Sequence, residues 1–165
     1  MSRRVALTGA TGFIGRHLSA HLVARGFEVI AVVRPESLHT APEGATVVRA
    51  PLAAAALREA FRGSGTVVHL AGVVNALDAA AYTAINIEGT RAVAEATLAV
   101  GARLVHVSSL AAAGPASAAA PRAEDDPPNP LTPYGKSKLA SEQIVTRTPD
   151  FEIVATRDRK GWRWP

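Results

Sequence analysis

Thr8-Gly9-Ala10-Thr11-Gly12-Phe13-Ile14-Gly15 is the stretch on which the fold turns. The apolar run Arg4-Val5-Ala6-Leu7 precedes it and reads as a first strand. Arg16 to Gly26 follows and reads as a helix closed by glycine. Three glycines therefore sit at a strand-to-helix turn. Gly9 suits the tight turn, Gly12 lets a phosphate approach the backbone, and Gly15 lets the helix pack close to the strand. The first-turn amides of that helix, with its dipole, form an anion site suited to a pyrophosphate.

Working outward, Phe27 to Val33 is a nearly continuous apolar run, as expected of a parallel strand buried on both faces. Ala45–Arg49, Thr66–Leu70, Arg103–Ser108 and Phe151–Thr156 read as strands three to six. Helices are predicted from Leu52 to Phe61, from Asp78 to Val100 as one long element, and from Pro133 onward. Strands alternating with helices predict an α/β fold: a doubly wound parallel sheet of Rossmann type, six strands in the order 3-2-1-4-5-6. Pro115 to Pro133, rich in Ala and Pro with an acidic patch at Glu124-Asp125-Asp126, reads as a long loop, either a lid over substrate or a solvated excursion.

In such sheets ligands bind outside the carboxyl ends of the strands. Ser108 and Ser109 lie there, after strand five. Tyr134 and Lys138, in Tyr134-Gly135-Lys136-Ser137-Lys138, are four apart and share one helix face. A free tyrosine is a poor base at neutral pH, with a pKa near 10, and a neighbouring ammonium favours the phenolate. At the end of strand two an acid binds the 2′-hydroxyl of NAD, whereas an arginine suits the 2′-phosphate of NADP. Arg34 stands there, so NADP is favoured over NAD.

The succession T-G-A-T-G-F-I-G, S-S and Y-G-K-S-K resembles the extended branch of the short-chain dehydrogenase/reductase superfamily, the NAD-dependent epimerase/dehydratase family. The glycine spacing, V-V-H-L-A-G at Val67–Gly72 and N-I-E-G-T at Asn86–Thr90 also resemble that branch. The resemblance implies a cofactor site made of Gly9, Thr11, Gly12, Phe13, Ile14, Gly15, Arg34, Leu52, Leu70, Ala71, Gly72, Asn86, Tyr134 and Lys138. It implies Ser109, Tyr134 and Lys138 as the catalytic residues. Tyr134 would exchange a proton with a substrate hydroxyl or carbonyl, Ser109 would hydrogen-bond the same oxygen, and Lys138 would hold the nicotinamide ribose and tune Tyr134. The implied substrate is a sugar nucleotide or a small ketone or alcohol, handled by reduction, epimerisation or dehydration. A homodimer through the helices after strands four and five is implied as well. Ala50-Pro51-Leu52 departs from the family's Gly-Asp-Leu, so an adenine-binding aspartate is missing.

The resemblance covers residues 3 to 157, giving a dinucleotide-binding domain over 1–157 and an atypical basic tail over 158–165. Most of the family's C-terminal substrate-binding region has no counterpart. The tail, with Trp162 and Trp164 and no core for them to enter, reads as a truncated or frame-changed product rather than a natural short form. The alternative to an enzyme is therefore a catalytically inactive nucleotide-binding fragment or a redox-sensing module.

Composition narrows the remaining classes. The 165 residues suit one domain. The last nine residues carry four bases and one acid, +3 of the total +4, so the body holds only +1 and has no basic stripe for nucleic acid. No cysteine is present, so neither disulfides nor thiolate chemistry arise. No leader and no run of about 20 apolar residues is seen, which predicts a cytoplasmic protein without a membrane span. His17 and His21 lack the glutamate of a zinc-protease helix and read as surface residues, and His69 as a packed strand histidine.

Overall fold

The computed structural model describes residues 3–154 except 41, 118 and 124. The expectations for Glu124, for the Ala155–Thr156 end of strand six and for the tail fall outside the described residues.

Six strands form one sheet: β1 (Arg4–Thr8), β2 (Glu28–Val33), β3 (Thr46–Arg49), β4 (Thr66–His69), β5 (Arg103–Val107) and β6 (Phe151–Val154). Their order is β3-β2-β1-β4-β5-β6, and neighbouring strands run parallel. This is the expected doubly wound arrangement. The centre of the sheet is buried on both faces, which is why β2 is apolar at successive positions rather than alternate ones.

Successive strand residues face opposite ways, so each face has its own core. Val5, Leu7, Val29 and Ala31 meet Leu18, Leu22 and Val23 of helix α1 (Phe13–Ala24). Ala6, Ile30, Val67 and Leu104 meet Leu57 and Phe61 of α2 (Ala54–Phe61), Val93 of α4 (Gly89–Ala99) and Val145 of α5 (Pro133–Val145). Full burial of a Leu or Phe of this set stabilises by about 1.5–3 kcal/mol each.

The long helix expected from Asp78 to Val100 is three pieces. Asp78 caps a short helix α3 (Ala79–Tyr82) by accepting from the Ala81 amide at 2.8 Å. A π-helical stretch, Thr83–Glu88, follows and passes into α4. Single π turns inside helices cluster at functional sites, and this one contains Asn86.

Gly9 takes φ +74° in the turn after β1. Gly15 belongs to α1, and a Cβ there would lie 2.2 Å from the Gly9 carbonyl oxygen and 2.7 Å from Ala10 Cα. Those are backbone atoms that cannot step aside alone. Gly15→Ala is expected to cost about 1–3 kcal/mol, the range for overpacking. A urea-unfolding midpoint equal to that of the parent would show that the turn has room.

Candidate active site

The carboxyl ends of β1, β4 and β5 lie side by side, with Thr8 opposite His69 and His69 opposite His106. β1 and β4 are where the strand order reverses, the usual crevice of this topology. The segments leaving this edge carry large apolar side chains in the open: Phe13 and Ile14 in the first turn of α1, Leu38 after β2, Val74 and Leu77 after β4, Leu110 after β5. Such a concentration marks a binding edge rather than scattered surface.

The glycine turn forms the first wall. Gly12 is the N-cap of α1, no side chain caps that end, and its first turn holds no acid. Its amides and dipole are thus arranged for an anion. The Gly12 amide donates to the Gly9 carbonyl at 3.0 Å, and Arg16 Nε donates to the Thr11 carbonyl at 2.9 Å. A Cβ on Gly9 would stand 2.6 Å from the Ala71 amide nitrogen, so the loops after β1 and β4 touch through backbone. Gly9, Ala71 and Gly72 bring these two loops together with little side-chain bulk between them.

Asn86 holds the second wall. It is 1% exposed, accepts from the Val73 amide at 2.8 Å, and donates to the Val73 carbonyl at 3.0 Å and Ser137 Oγ at 2.9 Å. Its own carbonyl accepts from the Thr90 and Ser141 hydroxyls, both at 2.6 Å. Asn86, expected among the cofactor-binding residues, thus spends its side chain on fixing the loop after β4 to α5. Leu52 is half-buried against the core cluster, with its Cδ1 close to Gly89 of α4.

The third wall is β5 against α5. Gly135 lets them meet: a Cβ there would lie 2.3 Å from the Ala111 carbonyl oxygen. The first turn of α5, carrying Tyr134, is thereby pressed on the 3₁₀ turn Leu110–Ala112 that Ser109 caps. Ser109 is half-buried and accepts from the Ala111 amide at 3.2 Å, which leaves its hydroxyl proton to donate. Ser108 is buried and donates its proton to Glu142 Oε1. The two adjacent serines are therefore inequivalent, and Ser109 is the one able to hydrogen-bond an outside oxygen. Tyr134 is half-buried with its ring 6.4 Å from that of Tyr82. Thr132 caps α5 through the Gly135 amide at 3.0 Å, and Pro133 opens the helix.

Lys138, one turn on, is buried. Its ammonium donates to the Val107 carbonyl at 2.8 Å and faces His106 Nε2 at 3.4 Å. Burial lowers its pKa to about 8, and Glu142 opposes that shift. It is mostly charged at pH 7 yet held near neutrality.

Behind this wall lies a chain of buried polar groups that no local motif announces. His69 is bonded at Nδ1 to Thr8 Oγ1 (2.7 Å) and at Nε2 to Thr90 Oγ1 (3.0 Å). Its ring lies 5.3 Å from that of His106. The chain joins the glycine turn to Lys138. Since the ammonium donates, His106 Nε2 accepts and its proton sits on Nδ1, which has no partner among the described residues. The sequence signal is the repeat of histidine at the matching position of V-V-H-L and L-V-H-V, which parallel register makes neighbours. His69 is a packed strand histidine, as expected; His17 is exposed and His21 is bonded to Arg25 Nη1 at 2.8 Å.

The remaining expected positions lie at the rim. Arg34 follows β2, is exposed, and sits 3.7 Å from Glu36. The loop after Ala113 closes on itself, with the Asn129 amide donating to the Ala113 carbonyl at 2.9 Å. Among the described residues no helix is long and apolar enough to cross a membrane.

Known proteins share this fold. A profile of the NAD dependent epimerase/dehydratase family matches residues 5–156. Ceramide reductase from Caulobacter vibrioides is 33% identical over 174 residues, covering 94% of this chain and 55% of that protein. The dTDP-6-deoxy-L-talose 4-dehydrogenase (NAD(P)(+)) of Kitasatospora kifunensis is 37% identical over 153 residues, covering 87% and 47%. The solved UDP-glucose 4-epimerase from Brucella ovis in complex with NAD superposes with a TM-score of 0.82 at 26% identity, over 92% of this chain and 50% of that one. The chain spans about half the length of the relatives it matches.

Proposed function

This chain belongs to the NAD dependent epimerase/dehydratase family, and on that premise we propose that it binds NAD(P) along the carboxyl edge of its sheet and catalyses oxidoreduction at a hydroxyl or carbonyl carbon. The observation that carries the proposal is the meeting of three features at one edge. These are the uncapped, acid-free N-terminus of α1, a Ser109 hydroxyl with its proton to give, and a buried lysine one turn from Tyr134.

Gly9, Gly12 and the first amides of α1 would hold the pyrophosphate. The loop from Leu70 to Gly72 would lie along the adjoining ribose. The nicotinamide, when bound, supplies the hydride acceptor or donor. Ser109 donates a hydrogen bond to the reacting oxygen and steadies charge there. Tyr134 takes the hydroxyl proton in oxidation and returns it in reduction. Lys138, one turn along α5 and held by the Val107 carbonyl, provides a positive charge one turn from the tyrosine, and its remaining ammonium protons would donate to ribose hydroxyls. A sugar nucleotide is the substrate class that the dTDP- and UDP-sugar enzymes among the relatives support. Reduction, epimerisation and dehydration share these groups, and the residues do not choose among them.

Arg34, the residue directly after β2, favours NADP. Titration with NADPH and NADH, followed by nicotinamide fluorescence, is expected to give about tenfold tighter binding of NADPH, the scale of one charge-assisted contact. Equal affinities would remove the NADP preference, and no binding of either would remove the whole reading. The alternative reading is cofactor binding without turnover. Cofactor binding without consumption across a panel of nucleotide sugars and ketones would select it.

A further inference from the structure

Among the described residues, the segment joining β2 and β3 holds no helix. Its first four residues, Arg34-Pro35-Glu36-Ser37, form a tight turn in which the Ser37 amide donates to the Arg34 carbonyl at 3.0 Å. Proline at the second position suits such a turn. Ser37 is buried, whereas Arg34, Pro35 and Glu36 are exposed. Nothing apolar therefore fixes the outer part of the turn.

Arg49 does. It is the last residue of β3 and lies opposite Val33, the residue before the turn. Its Nη1 donates to three carbonyls of the turn: Pro35 at 2.9 Å, Ser37 at 3.1 Å and, more weakly, Arg34 at 3.4 Å. The guanidinium is an all-donor fork with no acceptor, so convergent carbonyls are its natural partners. We propose that Arg49 is the positioning residue for NADP selection: it clamps the turn after β2 so that Arg34 is presented to the 2′-phosphate of the adenosine ribose. This rests on the NADP reading of Arg34.

The physical consequence is one of preorganisation. Arg34 is a long, exposed side chain whose nearest acid, Glu36, lies on the same turn. If the turn wanders, Arg34 must be ordered at the moment of binding, at a cost taken from the phosphate contact. A clamped turn has met the backbone share of that cost beforehand. Arg49 acts through Arg34, and NADH, which has no 2′-phosphate, does not sense it.

The test is a double-mutant cycle on the full chain, reading dissociation constants of NADPH and NADH by nicotinamide fluorescence for Arg34→Ala, Arg49→Met and the pair, with Arg49→Gln as a second variant should Arg49→Met melt early. Arg34→Ala is expected to erase the preference for NADPH, about tenfold. Arg49→Met is expected to erase most of it too, with NADH affinity changed less than about twofold, and the pair to be no worse than Arg34→Ala alone. If Arg34→Ala erases the preference and Arg49→Met keeps it, the clamp is overturned while the NADP reading stands. If Arg34→Ala keeps the preference, the NADP reading falls and the clamp with it. Additive losses would show Arg49 touching the phosphate itself, and a parallel loss of NADH affinity would show a structural role only; either overturns the proposal.

Discussion

Between pH 7.5 and pH 5.0 the fold is expected to lose about 4 kcal/mol of stability through two buried histidines. His69 is fully buried, and desolvation, with a smaller push from the Lys138 charge, lowers its pKa from 6.5 to about 3. Desolvation first, then Lys138 and His69, lower His106 to about 2. Both folded-state values lie below the unfolded one. The unfolded chain therefore takes up protons first as the pH falls. The stability is fully present above about pH 6.5 and drains away through the window from 6.5 toward 3. At pH 5.0 each histidine is 1.5 units below its unfolded pKa. At 1.36 kcal/mol per unit that is about 2 kcal/mol each. A small domain has roughly 5–15 kcal/mol in all, so the effect is large. Ordinary carboxylates protonate mainly below about pH 4.5 and lie outside the interval from pH 7.5 to 5.0.

Urea unfolding at the two pH values measures this directly. His106→Leu removes one of the two titrating groups, along with the Nδ1 proton that has no partner among the described residues, and is expected to halve the pH dependence. A parent whose stability changes by less than about 1 kcal/mol over the interval, or a variant as pH-sensitive as the parent, would refute the assignment.

Those histidines also show what the sequence could and could not say. The strands were legible because Val29–Val33 and Val67–Val68 are apolar without interruption, which only a doubly covered sheet tolerates. The glycine turn was legible because its function is local. The start of α1 was not: Gly12 caps it without a side chain, so the usual serine, threonine or aspartate marker is missing and the helix begins at Phe13, not Arg16. The π turn at Thr83–Glu88 was hidden for another reason. Asn86 is held by Val73, thirteen residues away, and by Ser137, fifty-one away, and no periodicity within a window reports such bonds. The same holds for Ser108 and Glu142, thirty-four residues apart. The sequence pointed to Ser109 over Ser108 by resemblance, and the hydrogen bond to Glu142 supplies a physical reason for that choice.

Tyr134→Phe is expected to leave cofactor binding within about threefold of the parent while lowering turnover by about 10²–10⁴-fold, the usual worth of a positioned general acid or base. The separation of the two effects follows from where the ring lies. Its packing partners, the ring of Tyr82 at 6.4 Å among them, meet phenylalanine as well as tyrosine, and Gly135 still lets α5 rest on the Ala111 carbonyl. Only the phenolic proton carrier is lost. Ser109 does not replace it: a serine hydroxyl is a much weaker acid than a phenol, and the Glu142 carboxylate accepts from Ser108. Lys138 cannot replace it either, since its ammonium is tied to the Val107 carbonyl on the strand side. Nicotinamide fluorescence gives the binding arm, and consumption of NADPH across nucleotide sugars and ketones gives the turnover arm. Equal turnover in parent and variant would take the proton step away from Tyr134. A parent that binds cofactor and consumes none would instead assign the chain to nucleotide binding without chemistry. Loss of binding in the variant would mean that the hydroxyl holds the cofactor, and that Tyr134 belongs to the binding wall before it belongs to the reaction.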